Sequence, residues 1–163
     1  MKIALTGHRE ERLKNLGTEE EIYGWLNKVV LKNNCTDAYC GMANGGDIMF
    51  GKLIVSLKKS GHDIKLHCIL PCKDYNKTHP DYELLKQNAD TFDYLSEEFY
   101  KGCDNARDEK MVEECDTLIA LWDGIKTGGV WSTIRKAQKC NKPVLFYINN
   151  SIVCQVKEDV NNG

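Results

Sequence analysis

The stretch DAYCGMANGGD, residues 37–47, joins a short apolar segment to a glycine-rich loop. Beyond it, apolar side chains recur at spacings of three and four residues, which is typical of an amphipathic helix: Phe50, Leu53, Ile54 and Leu57. A strand that runs through a glycine loop into a helix is the repeating unit of a parallel α/β sheet. This stretch therefore predicts the fold class.

The same succession extends along the chain in both directions. Buried strands are predicted for KIALTG at residues 2–7 and for residues 64–70, 92–95, 117–122 and 143–148. Helices are predicted over residues 80–88, 106–115 and 130–140, and another follows a capping box formed by Thr18 and Glu21. This alternation predicts a three-layer α/β/α Rossmann-like sandwich with a mainly parallel sheet. We expect one such domain over residues 1–149 and a polar C-terminal tail over residues 150–163.

Charge and hydropathy exclude several classes of function. In 163 residues, 22 Lys and Arg side chains balance 24 Asp and Glu side chains, so the net charge is −2. Nucleic-acid binding by charge alone is therefore not expected. No apolar run reaches the roughly 18 residues of a membrane span, and no signal peptide precedes the first strand. We expect a cytoplasmic protein with no membrane partner.

The sequence holds eight cysteines. Because a reducing compartment keeps thiols free, we interpret them as small buried apolar side chains rather than as disulfide partners. The best zinc-binding candidate is the group His67, Cys68, Cys72 and His79, which lacks a paired CxxC motif. We therefore expect no metal site.

Ligands of parallel sheets bind outside the carboxyl ends of the strands, so the loops after the strands hold the candidate site. The first loop combines Gly7, which allows close backbone approach, with Arg9, whose guanidinium can bind a phosphate or carboxylate. The loops at residues 41–47 and 122–133 place glycines before a helix, where free N–H groups favour an anion. Neither a GxGxxG nor a GxxxxGK[ST] motif is present, so no cofactor is expected.

The candidate ligand-binding residues share a position in these loops or at the start of the next helix. They are Gly7, His8, Arg9, Met42, Ala43, Asn44, Gly45, Gly46, Asp47, Pro71, Arg107, Trp122, Asp123, Gly124, Gly128, Gly129, Trp131, Ser132 and Thr133. Arg107 is predicted in a first helical turn, where its charge opposes the helix dipole unless an anion shares the site. An ion pair with Asp104 or Asp108 is the alternative. Trp122 and Trp131 are candidates for stacking on a base or for ordinary packing.

Five blocks of sequence together resemble a known family: TGHR, GMANGGD, ILPC, ARDEKMVEECDTLIALWDG and GGVWSTIRKAQKCNKPV. Their order and spacing over residues 1–148 are similar to the SLOG superfamily, which includes the DNA-processing DprA domain and the LOG hydrolases, and most of all to its small YpsA-like branch. The resemblance implies a nucleotide or nucleotide-derived ligand at the carboxyl edge of the sheet, often in a homo-oligomer. In that interpretation Gly7, Arg9, the Gly45–Gly46 turn, Arg107 and the loop at residues 128–133 form the pocket.

One departure from the family bears on catalysis. LOG-type phosphoribohydrolases carry a PGGxGTxxE motif, and alignment of TGG at residues 127–129 places Arg135 where that motif has glutamate. An arginine cannot accept a proton at neutral pH, so the sequence favours a sensor or sequestering protein for a cyclic ADP-ribose-like or cyclic-nucleotide signal. The alternative is an N-glycosidic hydrolase or transferase acting on nucleoside monophosphates through Asp47, Asp108 or Asp123. Single-strand binding, suggested by the DprA resemblance, is disfavoured by the net charge.

Overall fold

The computed structural model describes residues 1–148 and 151–155. Strands and helices alternate along most of this length. The strands are β1 (Lys2–Gly7), β2 (Asp37–Cys40), β3 (Lys65–Leu70), β4 (Thr91–Tyr94), β5 (Thr117–Leu121), β6 (Val144–Ile148) and β7 (Ser151–Gln155). The helices are α1 (Glu10–Leu13), α2 (Glu19–Lys32), α3 (Gly46–Lys59), α4 (Tyr82–Asn88), α5 (Cys103–Glu114) and α6 (Gly128–Lys139).

All seven strands belong to one sheet, in the order β4-β3-β2-β1-β5-β6-β7. The first six pair in parallel, and β7 pairs antiparallel with β6. The chain adds β2, β3 and β4 on one side of β1 and then returns to place β5 on the other side. The order of the strands therefore switches between β1 and β5, which is where ligands of open parallel sheets bind.

Two apolar cores cover the two faces of the sheet. On one face, α2, α3 and α4 bury side chains such as Leu26, Phe50 and Leu85 against the strands. On the other face, α5 and α6 bury Met111 and Ile134 among others. The fold is therefore the three-layer α/β/α Rossmann-like sandwich that the sequence predicts.

The predicted boundaries agree with the structure for most elements. β1 spans the predicted residues, and Thr18 and Glu21 form the predicted capping box, in which the Thr18 hydroxyl accepts from the Glu21 N–H at 3.1 Å. The predicted start of α5 at Ala106 is wrong, because the helix begins at Cys103 after Gly102, whose φ is +101°. In the predicted tail, Ser151–Gln155 forms β7, and residues 149–150 and 156–163 lie outside the described residues.

Within residues 1–148 and 151–155, no helix is both long enough and apolar enough to cross a bilayer.

Candidate functional site

A cavity of about 680 Å³ opens at the carboxyl end of β1, between the loop that follows β2 and the starts of α5 and α6. We call it the carboxyl-edge cavity. Nine of the predicted binding or catalytic residues line it: Gly7, His8, Arg9, Ala43, Asn44, Asp47, Arg107, Asp108 and Gly129. The cavity thus brings together residues from the three predicted loops and from α5, at the switch in strand order.

Close backbone contact between two loops shapes one wall of this cavity. Gly7 ends β1 and touches Gly46, the first residue of α3, so closely that a Cβ on Gly46 would lie 3.0 Å from the Gly7 Cα. The Gly46 N–H donates to the His8 carbonyl at 3.1 Å. Gly45, at φ +87°, makes this turn possible, since residues with a side chain rarely adopt that conformation. The predicted glycine turn therefore shapes the wall, while its Gly46 amide is used within the protein.

Arg107 is a buried guanidinium at the inner end of the cavity, with 5% of the residue exposed. Its Nε donates to Asp108 Oδ1 at 2.6 Å, and Nη1 donates to the Gly41 carbonyl. Because α5 begins at Cys103, Arg107 lies in the second turn, and the expectation of an unfavourable first-turn charge is wrong. The alternative, an ion pair with Asp108, is the arrangement found, and Asp104 lies 3.9 Å away.

Arg9 provides the second guanidinium of the cavity, in a different electrostatic setting. It is exposed, and its Nη2 lies 3.5 Å from the Tyr75 hydroxyl. In the described part of the chain, no ion pair joins Arg9 to a carboxylate. Arg9 is therefore the cavity cation whose charge is available to a ligand.

Two residues of the loop after β3 were missed by the sequence interpretation. The Tyr75 ring lies under the Arg107 guanidinium at 5.8 Å and also contacts Arg9. Asn76 Nδ2 donates to the Met42 carbonyl at 2.9 Å and to Asn44 Oδ1 at 2.8 Å, which ties this loop to the loop after β2. A signal exists in the sequence, since residues 72–79 follow a predicted strand, but the sequence analysis names only Pro71 in that loop. Pro71 itself is buried and does not line the cavity.

Asp47 is a buried carboxyl, 6% exposed, that lines the cavity from the first turn of α3. Its Oδ2 accepts from the Ala43 N–H at 3.2 Å. Burial raises the pKa of Asp47 to about 7, although the nearby Arg107 acts in the opposite direction. A carboxyl with this pKa exchanges its proton near neutral pH, which is the range in which general acids and bases work.

Asp123 lies behind the cavity, engaged with two basic side chains. Its two oxygens accept from Nε and Nη2 of Arg12, each at 2.8 Å, and Oδ1 lies 3.2 Å from His8 Nε2. The Arg12 hydrogen bonds hold the pKa of Asp123 well below its ordinary value. Burial lowers the pKa of His8, whose Nε2 accepts from the Asp123 N–H at 3.1 Å. Asp123 is thus a permanent carboxylate that supports the loop, unlike Asp47.

The third loop contributes less to the cavity than expected. Gly129 lines it, but the buried Thr133 hydroxyl donates to the Gly129 carbonyl at 2.8 Å, and the Ser132 hydroxyl accepts from Lys136 at 2.8 Å. Gly128, the first residue of α6, is exposed and has φ +88°, and Gly124 is exposed in the loop before the helix. Neither glycine lines the cavity, and neither do the buried Met42 or Gly46.

The two predicted stacking residues contact each other. The rings of Trp122 and Trp131 stack with centroids 5.2 Å apart, and Trp122 also contacts Phe146 at 5.8 Å. Neither ring lines the carboxyl-edge cavity. The packing alternative therefore describes their arrangement.

The zinc candidates do not converge. His67 contacts Asp37 and Thr91 at 2.8 Å each, while Cys68 is fully buried beside Cys40 of the neighbouring strand. In the described ranges, no group of three or more His, Cys, Asp or Glu side chains is arranged to hold a metal ion.

Comparison with protein-family models and with curated proteins finds no match to the sequence. Membership of the SLOG superfamily therefore stays a prediction based on the five sequence blocks.

Proposed function

We propose that the protein binds a nucleotide or nucleotide-derived signal in the carboxyl-edge cavity, as a sensor or sequestering protein of the SLOG type. The observation that carries the proposal is the exposed Arg9 guanidinium, which forms no ion pair with a carboxylate among the described residues and lines the same cavity as the buried Arg107. A volume of about 680 Å³ is in the range of small-molecule sites. The resemblance further implies a homo-oligomer, and the hydropathy of the sequence favours a cytoplasmic location.

The charge distribution supports a ligand with a phosphate at one end and hydroxyl groups at the other. Arg9 offers a planar set of donors that matches a phosphate. Asp104 and Asp108 line the cavity on the side of α5, and their carboxylate oxygens can accept hydrogen bonds from the hydroxyl groups of a ribose. A second phosphate near α5 would be repelled, because Asp108 already balances the charge of Arg107. These features favour a phosphorylated ribose over a polyphosphate chain.

Replacement of Arg9 with alanine is expected to weaken nucleotide binding by about tenfold to a hundredfold, since a hydrogen bond to a charged group contributes about 1.5–3 kcal/mol. Calorimetric titration with a panel of nucleoside monophosphates and cyclic nucleotides measures this change. Arg135→Ala is the matched control, because it removes an arginine that does not line the cavity. Equal affinities of wild type and Arg9→Ala for every bound nucleotide would exclude Arg9 as the anchor and contradict the proposal.

A second candidate function is cleavage of the N-glycosidic bond of a nucleoside monophosphate. The observation that favours it is the pair of carboxyls, Asp47 and Asp108, in one cavity: Asp47 has a pKa of about 7 and Asp108 is bonded to Arg107. Glycosidic cleavage uses one carboxyl to donate a proton to the leaving group and a carboxylate to stabilise the sugar cation or activate water.

Chromatography of the free base after incubation with AMP and related nucleotides separates the two functions. If the protein is a glycosidase, Asp47→Asn and Asp108→Asn should each lower the rate of base release by at least about a hundredfold, the usual contribution of general acid–base catalysis. Asp93→Asn, at an exposed position on β4, is the control. Recovery of every bound nucleotide unchanged would reject the enzyme and leave the binding function.

A further inference from the structure

A second cavity, of about 780 Å³, lies beside the carboxyl-edge cavity on the side of α2. We call it the α2 cavity. Its apolar lining comes from α1, α2 and α3, through Leu13, Ile22, Ile48 and Met49. Each of these residues is less than a tenth exposed, so the side chains form a fixed floor rather than a loose surface. Such a floor suits a flat ring, which gains free energy from the apolar area it covers.

A ridge of backbone separates the two cavities. Glu10 lines both of them, and the ridge is formed where Gly45 touches Arg9: a Cβ on Gly45 would lie 2.8 Å from the Arg9 Cα. The missing Cβ would point into the backbone of His8 and Arg9, so glycine at this position allows the two loops to be in direct backbone contact. Arg9 and the α2 cavity are therefore only one backbone contact apart, within reach of a ligand that Arg9 holds.

The charges of the α2 cavity differ from those of its neighbour. Four carboxylates line it, from Glu10, Glu19, Glu21 and Asp81, against the two ammonium groups of Lys14 and Lys52. Lys52 is already paired with Asp81 at 3.5 Å. The excess of carboxylates disfavours a second phosphate here, so the group that enters must be uncharged or cationic.

We propose that the α2 cavity is the subsite for a heteroaromatic ring, of the nucleobase type and without negative charge, that belongs to a two-part ligand. In this arrangement the phosphate and its ribose occupy the carboxyl-edge cavity, and the chain of the ligand crosses the ridge at Gly45. The inference rests on the proposed function and extends it, because it specifies a ligand of dinucleotide length. A mononucleotide would leave the α2 cavity empty.

Calorimetric titration with AMP and with adenylyl-(3′→5′)-adenosine tests this subsite, because the second compound adds a nucleoside beyond a single phosphate. The wild type should bind the dinucleotide at least about tenfold more tightly than AMP, as expected for burial of a further ring. Met49→Trp fills the α2 cavity from its floor and Lys52→Trp fills it from its rim. Each variant should reduce the ratio of dinucleotide affinity to AMP affinity to below about twofold. Lys59→Trp, on an exposed position of the same helix, should leave the ratio unchanged.

AMP affinity serves as the folding control for both blocking variants, since it depends on the carboxyl-edge cavity. If AMP binds the wild type but not Arg9→Ala, the proposed function stands. The subsite alone is rejected if the dinucleotide then binds the wild type no more tightly than AMP, or if its higher affinity persists in both blocking variants. If neither compound binds the wild type, the proposed function itself fails for adenine nucleotides, and the subsite fails with it.

Discussion

Replacement of Gly45 with alanine should lower the free energy of unfolding by about 3 kcal/mol or more. A Cβ at this position would lie 2.5 Å from the His8 carbonyl oxygen and 2.8 Å from the Arg9 Cα, and both are backbone atoms that cannot rotate away. The residue also has φ +87° and ψ −121°, a conformation open to glycine and strained for alanine. Relief of the clash would separate the loop after β1 from the start of α3, so ligand affinity should fall as well.

Gly61→Ala is the matched control for this prediction. Gly61 has φ +95°, but no atom lies within 4 Å of the Cβ it would acquire, so only conformational strain of about 1 kcal/mol remains. Urea denaturation of both variants separates strain from steric contact. Equal losses for Gly45→Ala and Gly61→Ala would contradict the prediction, because they would mean that the nearby His8 and Arg9 backbone adds nothing to the cost of a Cβ at Gly45.

Replacement of Asp47 with asparagine should stabilise the protein at pH 8 and leave it nearly unchanged at pH 4. Burial raises the pKa of Asp47 from an ordinary value of 3.8 to about 7. The folded state therefore binds a proton that the unfolded state has released over this range, and wild-type stability falls as the pH rises from about 4 through about 7. At about 1.4 kcal/mol for each tenfold change in proton affinity, the loss is on the order of 4 kcal/mol, and asparagine avoids it.

Urea denaturation of wild type and Asp47→Asn at several pH values between 4 and 8 measures this difference. Asp93→Asn, which replaces an exposed carboxyl with the same amide, reports the effect of removing one surface charge. If Asp47→Asn were equally destabilising at pH 4 and pH 8, Asp47 would carry its charge throughout, held by Arg107. That result would also remove the argument for Asp47 as a proton donor near neutral pH.

Much of the fold was predictable because it depends on local patterns. KIALTG predicts β1 without error, and the spacing of Phe50, Leu53, Ile54 and Leu57 predicts the buried face of α3. These signals act over one strand or a few turns, so they are readable from a single sequence. The sequence does not predict β7, because SIVCQ holds only three apolar residues between polar neighbours. As an edge strand, β7 pairs with β6 alone, so it does not need a longer apolar segment.

The location of the cavity can be predicted from the topology of the sheet, but the ion pairs and hydrogen bonds around it cannot. Any parallel sheet places its carboxyl-end loops together, which is why nine predicted residues share one cavity. Arg12 and Asp123, by contrast, are 111 residues apart, and no local pattern predicts that they form a bidentate pair. Arg107 likewise bonds to Gly41 across 66 residues. Such pairings decide which charges are left for a ligand, and they form only when the folded chain brings distant residues together.

The buried cysteines of the protein can be used to measure local opening of the structure around them. Of the seven cysteines in residues 1–148, Cys140 is exposed and the other six are buried. Cys72 and Cys103 lie on the loop after β3 and at the start of α5, the two segments that carry Tyr75 and Arg107. An alkylating reagent reaches these thiols only when the surrounding packing separates. Their labelling rates, followed by mass spectrometry, therefore measure how often the loop after β3 and the start of α5 open, with Cys140 as the internal standard for reagent access.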